Sequence, residues 1–83
     1  MIKLSEIIKT DCYIDCGSNE KLREVYPLID MPEISGNYRI FEDETLVLIL
    51  PLNFIYRKGT VDSLFSSRNI YPIYHISQID LNN

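Results

Sequence analysis

Few side chains in this chain are suited to chemistry: Cys12, Cys16, the lone His75, the run Glu42-Asp43-Glu44, and six tyrosines. On one strand Cys12 and Cys16 lie about 13 Å apart, whereas a disulfide needs about 4.4–6.8 Å between Cα atoms. They therefore read as reduced thiols. With His75 they supply three metal ligands at most, and a Cys-x3-Cys strand does not converge on one ion. Small buried apolar thiols are the simpler reading. A Cys16–His75 nucleophilic pair is the sharper one. Cys16 ends a strand just before a helix N-terminus, where a thiolate is favoured, and His75 would lie across the sheet. Against it, Cys16-Gly17-Ser18 matches no catalytic signature, and a small sheet leaves little room for a substrate cleft. Glycine occurs only at positions 17, 36 and 59, so neither G-x-G-x-x-G nor a P-loop can be written.

The carboxylates Glu42, Asp43 and Glu44 fall in a hairpin turn and point to water. They are either a solvated loop or an acidic contact for a basic partner surface. Tyrosine joins a large contact area to a polar tip and is enriched at protein interfaces. Tyr26 falls on the apolar stripe of a helix and is expected in the core. Tyr71 and Tyr74 fall on opposite faces of an edge strand, so at least one is expected to be exposed or near a partner. For Tyr13, Tyr38 and Tyr56, core and interface remain equally open. The partner-binding candidates are thus Glu42, Asp43, Glu44, Tyr71 and Tyr74. No catalytic, cofactor-binding or metal-binding residue is assigned, and no cofactor is expected.

The elements that must position these residues are built around Thr45-Leu-Val-Leu-Ile-Leu50. Six residues is strand length, and Val47 and Ile49 are β-branched. Thr45, Val47 and Ile49 share one face and Leu46, Leu48 and Leu50 the other, so both faces are apolar. Earlier in the chain, Leu4, Ile7 and Ile8 have helical spacing. Residues 11–15 alternate as a half-buried strand, with Cys12, Ile14 and Cys16 inward and Tyr13 and Asp15 outward. Ser18 can cap a helix whose stripe is Leu22, Val25, Tyr26 and Ile29, and Pro27 is expected to end or kink it near Val25–Tyr26. Residues 30–37 have loop composition.

Tyr38–Phe41 predicts a second strand, joined by the acidic turn to the apolar one as an antiparallel hairpin. A turn at 51–53 and a strand at 54–57 follow. Thr60 or Asp62 is expected to cap a short helix carrying Val61, Leu64 and Phe65. Residues 70–76 close the chain as a strand, and Pro72 places it at a sheet edge. The fold class is therefore α+β: a small, mainly antiparallel sheet of four to five strands, with two or three short helices on one face. The other face of the apolar strand then needs outside cover, and self-association into a homodimer is the simplest source.

Eighty-three residues make a single domain, 1–83. With 46% hydrophobic and 24% charged residues, the chain has the composition of a folded globule. Its longest apolar run is far shorter than a membrane span, and Met1–Glu6 lacks a signal peptide's apolar core, so a cytoplasmic protein is expected. A net charge of −4 and scattered basic residues argue against direct binding of nucleic acid. The charge is also too small for a DNA mimic. The absence of alanine beside thirteen isoleucines and six asparagines matches the codon usage of an AT-rich bacterial or phage genome.

The segments Asp11-Cys-Tyr-Ile-Asp-Cys16 before a short helix, and 64–80 with its closing strand, resemble small proteins encoded by phages and prophages of low-GC bacteria. The resemblance is to an architecture and carries no site residue over. It implies, by analogy, a non-enzymatic protein that binds and disables or redirects a larger bacterial enzyme, such as an anti-CRISPR inhibitor of a defence nuclease. A small regulatory or transcription-associated subunit is the alternative, and a thiol-dependent enzyme using Cys16 is a third.

Overall fold

The computed structural model describes residues 1–30, 38–51, 57–68 and 70–82. A four-stranded mixed sheet is formed by β2 (Cys12–Asp15), β3 (Tyr38–Asp43), β4 (Leu46–Pro51) and β5 (Ile73–His75), in the order β3-β4-β2-β5. Two of its ladders are antiparallel, β3 with β4 and β4 with β2, and β2 pairs with β5 in parallel. A parallel two-stranded ladder joins β1 (Ile2–Lys3) to β6 (Ile79–Asp80) and ties the two ends of the described chain together. The helices are α1 (Leu4–Ile7), α2 (Asn19–Ile29) and α3 (Lys58–Ser67), and a 3-10 turn (Ile76–Gln78) precedes β6. The α+β class read from the chain is the class observed. Among the described residues, no helix is long and apolar enough to cross a membrane.

The apolar strand β4 occupies an inner position, as its sequence demands, and Leu46 through Leu50 are all buried. Its register deals its side chains to two separate cores. Val47 and Ile49 join Cys12, Ile14 and Cys16 beneath Leu4, Ile7 and Ile8 of the first helical turn and Leu22, Val25 and Ile29 of α2. Leu46, Leu48 and Leu50 join Tyr13 beneath Leu64 and Phe65 of α3. The helices therefore lie on both faces, and the expectation that they share one face is corrected. The cause is the Val61, Leu64, Phe65 stripe. A second amphipathic helix has its own apolar side to bury, and the far face of β4 is where it does so. The burial reason for a covering second copy is thereby removed.

The same layering corrects the reading of β2 as half-buried. Tyr13 is fully buried on the α3 side, because the ladders to β4 and β5 place it directly between Leu48 and Ile73. Its hydroxyl donates to the Leu64 carbonyl of α3 at 2.5 Å. This satisfies the polar tip of a ring whose body is in the core.

Ser18 caps α2 as expected, accepting from the Lys21 backbone N–H at 3.2 Å. The helix does not stop at Tyr26 but runs to Ile29 with Pro27 inside it. Pro27 lies on the exposed side, only two residues from the helix end. Burying Ile29, worth about 1.5–3 kcal/mol, offsets a proline cost of about 3 kcal/mol. Helix α3 starts a turn earlier than Thr60 or Asp62. Its N-cap is Arg57, whose carbonyl accepts from Thr60 and Val61, so both expected caps lie within the helix.

The hairpin is tighter than its composition suggested. Glu42 and Asp43 belong to β3, Asp43 faces Leu46, and only Glu44 and Thr45 form the loop, with Glu44 at φ 55°. The closing strand spans three residues and lies at a sheet edge, and the Pro72 carbonyl before it accepts from the Tyr13 N–H at 2.8 Å. The loop expected over 31–37, the turn at 52–53 and the strand at 54–56, with Tyr56, lie outside the described residues.

Candidate partner-binding groove

Strand alternation decides where the hairpin carboxylates go. Glu42 pairs with Val47 and so stands on the α2 side of the sheet, whereas Asp43 pairs with Leu46 and stands on the α3 side. All three acidic side chains of the hairpin are exposed. Phe41 also points to the α3 side, where it packs against the Leu46–Leu50 core. On the helix, Val61, Asp62, Phe65 and Ser66 form one flank, since residues three and four apart are neighbours.

The two flanks enclose an open groove of about 360 Å³, lined by Phe41, Glu42, Asp43, Val61, Asp62, Phe65 and Ser66. Its floor is apolar, and carboxylates stand on both walls, Asp43 on the strand and Asp62 on the helix. Among the described residues, no lysine or arginine lines it. The cation of the same strand face is Arg39, two residues before Phe41, so charge along β3 runs from positive to negative towards the hairpin. Asp62 enters the site only through the fold. In the sequence it reads as a helix cap, and the signal that could have found it is its place beside Val61 and one turn before Phe65 and Ser66.

Tyr71 and Tyr74 are not part of this groove. Among the described residues β3 and β5 are opposite edges of the sheet, about 14 Å apart at three strand spacings. Tyr71 is partly buried on the α3 side, with its ring centroid 6.0 Å from that of Tyr13. Tyr74 is partly buried on the α1/α2 side. The two do fall on opposite faces, and each lends its ring to a core. Tyr26 is half-buried on α2, and burial, with the Asp30 and Glu42 carboxylates adding to it, raises its phenol above the ordinary value.

The thiols sit in a different environment from the one a nucleophile needs. Both cysteines are free and buried. Burial pushes Cys16 up to about 11, helped by the charge of Asp15. It pushes Cys12 up to about 12, with the Thr10 hydrogen bond opposing and Asp11 adding to it. The Cys12 thiol donates to the Ile7 carbonyl at 3.6 Å. His75 lies beside Asp15, Nδ1 to Oδ2 3.6 Å, on the sheet face opposite the Cys16 core, because Asp15 and Cys16 alternate. The Asp15 carboxylate also accepts from the Gly17 N–H at 3.0 Å. A favoured Cys16 thiolate is thus corrected: desolvation outweighs the helix end. Among the described residues, no three His, Cys, Asp or Glu side chains are grouped to hold a metal ion.

Comparison of the chain with protein-family models, curated proteins and solved structures returns no match.

Proposed function

We propose that this protein is a non-enzymatic binding protein that inhibits or redirects a larger bacterial protein by covering part of its surface. An apolar floor between two carboxylate-bearing walls is the observation that carries this reading. Such a site offers area to desolvate and charge to set orientation, which together distinguish a recognition surface from ordinary solvated surface. The buried, protonated thiols and the separation of Cys16 from His75 weigh against the thiol-enzyme alternative. On the analogy of architecture, the partner is a bacterial defence enzyme and the protein a phage-encoded, anti-CRISPR-like inhibitor acting in the host cytoplasm. Tyr71 and Tyr74, at the other sheet edge, form a second contact region in the same reading.

The test is plasmid interference in bacteria carrying an active CRISPR nuclease, with the chain co-expressed. Interference should fall with the native chain and return when Asp43 and Asp62 are both changed to lysine, in a variant whose circular dichroism is unaltered. Unchanged inhibition by that variant removes the groove from the mechanism. A Cys16→Ala variant should inhibit as well as the native chain, and loss of activity in that folded variant favours the thiol enzyme. A regulatory subunit differs in its effect on the partner, which stays active when bound, so turnover of the purified complex separates the two.

A further inference from the structure

We draw no further inference here: the strongest candidate, the apolar surface patch that Ile70 and Ile73 leave exposed at the β5 edge of the sheet, carries nothing because nothing in the structure shows what covers it.

Discussion

Tyr13→Phe removes one oxygen atom and tests whether α3 covers the far face of the sheet. The Tyr13 hydroxyl is buried and donates to the Leu64 carbonyl. That carbonyl also accepts from the Arg68 N–H at 3.2 Å, so deleting the hydroxyl does not orphan it. The cost is then the net value of a buried hydrogen bond, about 0.5–1.5 kcal/mol, without the larger penalty of an unpaired acceptor. For a domain of this size about 1 kcal/mol corresponds to about 4–8 °C in Tm. Tyr38→Phe is the matched control. Its hydroxyl donates to the Lys9 carbonyl at 2.9 Å but in an exposed setting, where water replaces the lost partner, and a loss below about 0.5 kcal/mol is expected. Thermal and urea unfolding followed by far-ultraviolet circular dichroism gives both values. Hydrogen exchange should also show faster exchange in α3 for Tyr13→Phe and not for Tyr38→Phe. Equal small losses in the two variants, or no change in α3 exchange, would refute the account of α3 as the roof over Leu46, Leu48 and Leu50.

Three further outcomes are expected. The thiols of Cys12 and Cys16 are raised on folding from an ordinary value of 9.0, so the unfolded chain releases their protons first. Stability is full below about pH 9, falls as pH rises towards 11, and falls less steeply in a Cys16→Ala variant, as pH-dependent urea unfolding can check; a flat profile from pH 8 to 10.5 contradicts the burial. Glu44→Gly relieves a left-handed residue at φ 55°, and a net gain of about 0.5–1 kcal/mol is expected in the same unfolding assay; a loss would mean that the Glu44 side chain makes a contact that matters. Because α3 shelters the face once assigned to a companion, the unfolding midpoint should not move across a hundredfold range of protein concentration. A rising midpoint would show that a homodimer contributes to stability.

Local features were legible wherever the local chain decides them. The strand at Tyr38–Phe41, the wholly apolar Leu46–Leu50, the Ser18 cap and the edge position of the strand after Pro72 follow from side-chain type and the rules of one strand or helix. Residue faces on β4 followed as well, because a strand's period is two whatever surrounds it. Element ends were less legible. Pro27 was expected to end or kink α2, but the helix runs on to Ile29, whose burial offsets the proline's cost, and the core that buries it belongs to other parts of the chain. The candidate site divides in the same way. Glu42, Asp43 and Glu44 announce themselves as an acidic run, while Asp62 is unremarkable until α3 is laid beside β3.

From its sequence alone, then, this protein determined a doubly apolar central strand, three amphipathic helical stretches and an acidic hairpin, since each depends on spacing within a few residues. Only the tertiary structure decided that α3 crosses to the side of the sheet opposite α2, burying Tyr13 and walling the groove. The reason is that an apolar stripe specifies that it must be covered but carries no record of by which face. That choice is made between elements distant in the chain, by which arrangement buries the most apolar surface at once.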